Sequence, residues 1–269
     1  MTAASASKHA PTLPAIAPIP VERLDDLLQT NTFDATGLRT DTPWDAWSMQ
    51  RDDAPILAAI VQALAPKRHL EFGTWEGFGA RLVLEHSPAT VWSLNLPHGE
   101  TTDTGDWQYA GVFDDTAELP PAAGPPQDFR EGGGHVYYQT DAHGFIGRLV
   151  HDARLGHRFN QVLCDSRDWD TAAYPAGFFD CAFIDGGHHP KTVMSDTRKA
   201  LPLLRPGGVI LWHDACPDPD VLSQGGAPAG VMTALHALSD ELHTACSELR
   251  WIDRSQLVIG ICNHTEAAA

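Results

Sequence analysis

Apolar and polar positions along this chain keep two rhythms, and from residue 52 onward the two take turns. Ile56, Leu57, Ile60, Val61 and Leu64 recur at helical spacing. Asp52 or Asp53 stands where a cap belongs, Pro55 in the first turn and Pro66 past the end, which predicts a helix. Short apolar runs then appear at His69–Phe72, Val91–Leu94, Phe159–Leu163, Cys181–Ile184 and Val209–Trp212, each ending on a polar or glycine residue. Runs of this length read as buried strands. Helical periods lie between them, at Leu82-Val83-Leu84 and at Val193, Thr197, Ala200, Leu201 and Leu204. Strand, helix and strand in this succession predict parallel pairing through right-handed crossovers. Pro206-Gly207-Gly208 reads as the turn into the strand at Val209. Leu249–Ile252 and Leu257–Cys262, split by Asp253-Arg254-Ser255, predict an antiparallel pair at the edge. The fold class is α/β: a doubly wound sheet, mostly parallel, with an antiparallel last strand and helices on both faces.

Outside this pattern the chain is irregular. Residues 1–20 are rich in Ala, Pro and Ser and have no period, the mark of a tail. Residues 21–52 predict a flap, with a short helix through Val21, Leu24, Leu27 and Leu28 and an aromatic stretch carrying Trp44, Trp47 and Met49. The main domain is expected over 53–265, interrupted at about 97–134, where eight of the fifteen residues from Pro120 to Gly134 are Pro or Gly. Such a segment is either a lid or a disordered insertion.

Charge and composition narrow the partners. With 18 Lys and Arg against 35 Asp and Glu, the net charge of the 269 residues is -17. That surface repels phosphate backbones and anionic lipid heads, so neither nucleic acid nor a membrane is the expected partner. No apolar run reaches the roughly 20 residues that span a bilayer. The start of the chain lacks the charged and apolar segments of a signal peptide. Five cysteines without a C-x-x-C pair point to free thiols in a reducing cytoplasm.

The chemistry-bearing residues fall at strand ends. Glu71-Phe72-Gly73-Thr74-Trp75-Glu76-Gly77 runs from a strand into a helix with acid-x-Gly-x-x-x-Gly spacing, where glycine admits a ligand to the backbone and the helix N-terminus favours a carboxylate. Asn95 ends the next strand, where open α/β folds place the side chain that holds ribose hydroxyls. Asp165-Ser166 ends another strand and can bond a base edge. Asp185, His213 and Asp214 end two parallel strands on one edge, the edge where such folds bind ligands. His188, three residues past Asp185, is the candidate general base, with Asp185 beside it.

These residues together resemble the class I S-adenosylmethionine (SAM)-dependent methyltransferases, over about Asp53 to Asn263. The stretch FIDGGHHPKTVMSDTRKALPLLRPGGVILWHD resembles bacterial small-molecule enzymes near the macrolide-sugar O-methyltransferases and the cephalosporin hydroxylase-like group. The resemblance implies a Rossmann-like sheet of seven strands with the last reversed. It implies that the loop with Glu71, Gly73, Thr74 and Gly77 cradles the amino acid end of SAM, that Asn95 holds the ribose, and that Asp165 and Ser166 hold the adenine, with Asp185 also at the cofactor. Asp185, His213 and Asp214 match positions that hold a divalent ion in metal-dependent relatives, and the donor set suits Mg²⁺, with Mn²⁺ or Fe²⁺ as substitutes. Asn95 replaces the usual acid, and Pro190 stands where relatives carry an aromatic hydroxyl.

The implied activity is methyl transfer to a hydroxyl of a small natural product or sugar, in a protein compatible with homo-oligomers. Two other readings stay open at this stage. One is a metal-dependent oxygenase or hydroxylase on the same scaffold. The other is a non-catalytic module that keeps SAM or a nucleotide as a regulatory ligand.

Overall fold

The computed structural model describes residues 16–38, 41–97 and 146–263. The insertion expected at about 97–134 lies, after its first residue, outside the described residues, as do the first fifteen residues of the expected tail. Eight strands form one sheet: β1 (Pro18–Ile19), β2 (Arg68–Phe72), β3 (Thr90–Asn95), β4 (Phe159–Leu163), β5 (Phe179–Ile184), β6 (Leu204–Trp212), β7 (Cys246–Ile252) and β8 (Val258–Cys262). Their order is β1-β7-β8-β6-β5-β2-β3-β4. The five central strands β2 to β6 pair in parallel, and β8 runs antiparallel to both β6 and β7. The described part is therefore the mostly parallel sheet with a reversed last strand that the hydrophobic pattern predicts.

Helices cover both faces. Helices α1 (Leu24–Leu28), α2 (Ala54–Leu64), α3 (Phe78–His86) and α4 (Arg148–Asp152) lie on one side, and α5 (Pro190–Ala200), α6 (Pro219–Leu222), α7 (Ala227–Ala237) and α8 (Ser239–Ala245) complete the chain. Strand alternation divides the core in two. Cys181, Phe183, Val209 and Leu211 pack with Ile56, Ile60 and Val83. Ala182, Ile184, Ile210 and Trp212 pack with Val193, Leu235 and Leu242 on the other face.

Three expectations need correction. The sheet has eight strands rather than seven, because Pro18 and Ile19 leave the expected tail to pair with Trp251 and Ile252 of β7. Two residues of backbone pairing leave no hydrophobic period to read. Pro206-Gly207-Gly208 does not precede the strand but lies inside β6, and the pairing with β5 shifts register between Phe179 and Cys181 to accommodate it. Neither Asp52 nor Asp53 caps α2, since a π-helical turn at Met49–Asp53 leads into the helix without a side-chain cap. Asp52 instead accepts bonds from the Ser48 N–H at 2.8 Å and the Thr42 hydroxyl at 2.7 Å.

The loop after β2 is shaped by close backbone approach. Gly73 has φ of +99°, and a Cβ there would lie 2.2 Å from the Asp185 carbonyl oxygen. Its N–H and that of Thr74 both donate to the Leu94 carbonyl, at 2.8 and 3.1 Å, while the Asp185 N–H donates to the Phe72 carbonyl at 2.8 Å. The loops after β2, β3 and β5 are thereby stitched edge to edge. Beneath them Glu71, almost wholly buried, accepts a short hydrogen bond from the Ser93 hydroxyl. The Thr74 and Ser93 hydroxyls lie 2.6 Å apart, and the Gln161 amide donates to Thr74 Oγ1 at 2.8 Å. Burial pushes the Glu71 pKa up to about 8, against the opposing pull of the Ser93 bond, and the Asp185 charge adds to the rise.

Gly73→Ala is expected to destabilise the fold by about 1–3 kcal/mol, because the new methyl must displace backbone rather than a side chain; a urea midpoint equal to wild type would contradict the contact. A carboxyl whose folded pKa is raised keeps its proton between pH 4.5 and about 8 while the unfolded chain loses it. Its contribution is complete below the unfolded value and is lost as pH rises through that window, at up to about 1.4 kcal/mol per pH unit. Urea melts across the window should show this fall in wild type and a flatter profile in Glu71→Gln.

Candidate active site

A cavity of about 580 Å³ opens over the C-terminal ends of the parallel strands, a volume ordinary for a small-molecule site. Of the residues singled out in the sequence, Gly73, Thr74, Asn95, Asp165 and Ser166 border it on the side of β2 to β4. Asp185, His188, His213 and Asp214 border it on the side of β5 and β6. Glu71 and Gly77 do not line it. Glu71 lies below the loop in its hydroxyl network, and Gly77, with φ of +89°, allows Gly147 to approach, since a Cβ would meet Gly147 Cα at 2.9 Å. Their place is to shape the loop that others present.

Two of the bordering side chains are already engaged. The Asn95 amide accepts from the Trp75 N–H at 2.9 Å and donates to the Leu96 carbonyl at 2.8 Å, so it ties the glycine loop to the end of β3. Asp165 accepts the Arg167 N–H at 2.9 Å and its guanidinium at 2.7 Å, and the guanidinium bond holds its pKa below the usual carboxylate value. The Lys199 ammonium bonds the Arg167 and Trp169 carbonyls at 2.6 and 2.7 Å, which fixes the turn after β4 on α5.

Trp47, Met49 and Gln50 belong to the flap expected over residues 21–52. All three line the cavity. The Trp47 ring lies 6.2 Å from that of His213, and its indole N–H donates to Asp53 Oδ1 at 3.3 Å. A run of isolated aromatics without a period signals this only weakly. Cys164 also borders the cavity, but burial pushes its pKa up to about 11, so it offers a thiol rather than a nucleophilic thiolate.

The charged rim is dense. His213, on the residue after β6, has its Nδ1 3.0 Å from Asp185 Oδ1 and 3.5 Å from Asp214 Oδ2. The half-exposed His188 places Nε2 2.9 Å from Asp214 Oδ2. Asp214 reaches both imidazoles from a left-handed backbone with φ of +51°, a conformation found mostly at functional or turn positions. Burial by itself lowers the His213 pKa, but the charges and bonds of Asp185, Asp214 and Asp53 prevail and raise it well above the ordinary value. Burial raises the Asp214 pKa, and the two imidazoles more than reverse it, leaving the group well below the usual carboxylate range. His188 is likewise raised, burial being outweighed by its bond to Asp214.

Asp185, His188 and Asp214 offer ligand atoms within 4.8 Å of one another. The separations of 3.0 and 3.5 Å from His213 Nδ1 to Asp185 and Asp214 are close to those of adjacent ligands on one small cation with bonds of about 2.1 Å. Two carboxylates and an imidazole are also a donor set that such an ion accepts. The rim therefore fits a divalent cation by both spacing and chemistry.

A family profile described as a methyltransferase domain matches residues 70–215. No curated protein sequence matches the chain. Among solved structures, cofactor-bound Rv0187 from MTB aligns over 92% of this chain and 99% of its own, at 16% identity and a TM-score of 0.52. The O-methyltransferase from Bacillus cereus in complex with SAH aligns over 90% of each chain at 15% identity and a TM-score of 0.48. The O-methyltransferase TomG from Streptomyces achromogenes, involved in tomaymycin synthesis and in complex with SAM, covers 90% of this chain and 87% of its own at 10% identity and a TM-score of 0.46. At such identities the Rv0187 likeness speaks for the fold alone. The profile spans more than half of the chain, from β2 through the charged rim after β6, and the protein belongs to the methyltransferase-domain family as an enzyme of the class I fold.

Proposed function

We propose that this protein is a SAM-dependent O-methyltransferase that acts on a hydroxyl of a small molecule with a divalent cation held by Asp185, His213 and Asp214. The observation that carries the reading is the convergence of those three residues and His188 on one wall of a cavity whose other wall is the glycine loop. SAM, when bound, supplies a methyl group on a sulfonium that is already a leaving group. A divalent cation, when bound, supplies a Lewis acid for acceptor oxygens.

The chain's own part is placement and proton removal. Gly73 and Thr74 present the turn for the amino acid end of the cofactor, with Asp185 at its margin. Asp165 and Ser166, after β4, border the same cavity, suited to the adenine. Asn95 borders the same cavity, suited to the ribose, and also ties down the loop through the Trp75 N–H. Aligning acceptor oxygen, methyl carbon and sulfur in one bound geometry is worth roughly 7–11 kcal/mol in such displacements. Trp47 and Met49 wall the acceptor side and exclude water. His188, at the cavity edge, bonds Asp214 through Nε2 and in its neutral form takes the hydroxyl proton onto its other ring nitrogen.

The acceptor is a small molecule in this reading, because a net charge of -17 opposes nucleic acid and acidic lipid surfaces. No helix among the described residues is long and apolar enough to cross a membrane. Five free thiols fit a reducing cytoplasm.

Chelation is expected to remove methyl transfer from labelled SAM and to leave most SAM binding, read by calorimetry, intact. Asp214→Ala should match chelation and resist rescue by added Mg²⁺ or Mn²⁺. Full-rate transfer in excess EDTA contradicts the cation, and iron-dependent oxygen uptake without transfer replaces the reading by an oxygenase.

His188→Ala is expected to lower turnover about 10²–10⁴-fold with Mn²⁺ affinity unchanged, whereas His213→Ala should weaken Mn²⁺ binding. The reverse pattern exchanges the roles of the two histidines.

A further inference from the structure

Asp53 sits on no strand end and in no motif, yet it is wholly buried directly behind the charged rim. It closes the π-helical turn at Met49–Asp53, an irregularity that recurs at functional sites. Its Oδ2 lies 3.3 Å from His213 Nε2, on the side of the ring opposite the rim. That contact is at ion-pair distance and outside hydrogen-bond geometry. The carboxylate itself is fixed by the Gln256 N–H, at 3.1 Å to Oδ2 and 3.3 Å to Oδ1, and by the Trp47 indole N–H at 3.3 Å. The imidazole is enclosed on its flanks as well, with the Trp47 ring 6.2 Å away and the edge-on Phe183 ring 6.1 Å away.

A buried carboxylate is tolerated where it is paired and hydrogen-bonded, and the group that Asp53 faces is the His213 ring. We propose that Asp53 is the positioning residue of the site: with a cation in place, it holds the proton of His213 on Nε2 and so keeps the Nδ1 lone pair aimed between Asp185 and Asp214. A histidine that ligates a metal is commonly oriented in this way by a carboxylate on its other nitrogen. The inference rests on the cation reading above and assigns to Trp47 a second duty, since its indole steadies Asp53 while its ring walls the cavity.

The test uses the full chain and Mn²⁺ or Mg²⁺ alone. Mn²⁺ titrations followed by electron paramagnetic resonance should show binding to wild type and an affinity about 10–100-fold lower in Asp53→Asn. In a His213→Gln background the same change should cost nothing further, because Asp53 acts through that ring. An equal loss in both backgrounds makes Asp53 a structural residue only and overturns the inference. Nitrogen-15 spectra of Mg²⁺-loaded wild type, assigned with His213→Gln, should show His213 protonated at Nε2 and bare at Nδ1. The opposite tautomer overturns the inference without any Asp53 variant, so the test stands even if Asp53→Asn does not fold. Wild type and Asp53→Asn that bind Mn²⁺ alike sink the inference and leave the cation reading intact. A wild type that binds neither ion sinks the cation reading, and the inference falls with it.

Discussion

Three carboxylates meet around one buried imidazole, and the rest of the site is arranged so that they can. Asp53, Asp185 and Asp214 all lie within 3.5 Å of a His213 nitrogen. Like charges this close repel strongly away from water, and without a shared cation the rim would have to protonate or open. In the described structure His213 supplies that charge, which is why its proton is held so firmly. A divalent ion would meet the same demand from the cavity side. The charge balance that His213 gives the rim is thus of the kind that a cation would also give.

The rim exists because of backbone geometry. Asp185 and His213 end adjacent parallel strands, and His213 donates its N–H to the Ile184 carbonyl at 3.0 Å, so the two side chains start from neighbouring rungs. Gly73 then brings the cofactor-side loop against Asp185 at a distance no side chain would permit. Glu71, Ser93, Thr74 and Gln161 hold that loop from beneath with a buried polar network. Such networks hold their members in fixed relation, although the buried Gln161 amide oxygen has no partner among the described residues.

The segment before α2 changes the balance between scaffold and site. Trp47, Met49 and Gln50 wall the cavity, and Asp53 reaches His213 across the chain to bond Gln256 as well. An acceptor would therefore be enclosed by residues that lie outside the repeating strand-helix pattern, in keeping with the general location of specificity on irregular segments held by a rigid sheet.

Much of this was legible in the amino-acid sequence. Runs such as Cys181–Ile184 and Val209–Trp212 read as buried strands, because four consecutive apolar residues between polar or glycine stops are too few for a helix. Parallel crossovers then oblige Asp185, His213 and Asp214 to share an edge. The reversed last strand followed from two strands too close for a crossover. What tertiary structure alone decided depends on partners distant in the chain. Asp53 reads as a helix cap until Gln256 and His213 are brought to it, and the bond of Asn95 to the Trp75 N–H has no counterpart in any local pattern. Gly73 reads as room for a ligand, but the space it leaves is filled by the Asp185 backbone. Pro18 and Ile19 become a strand only because β7 offers an open edge. Periodicity records which side of an element faces the core, a local matter of burial. Which polar group a side chain finally faces is set by how the elements pack, and no local pattern carries that.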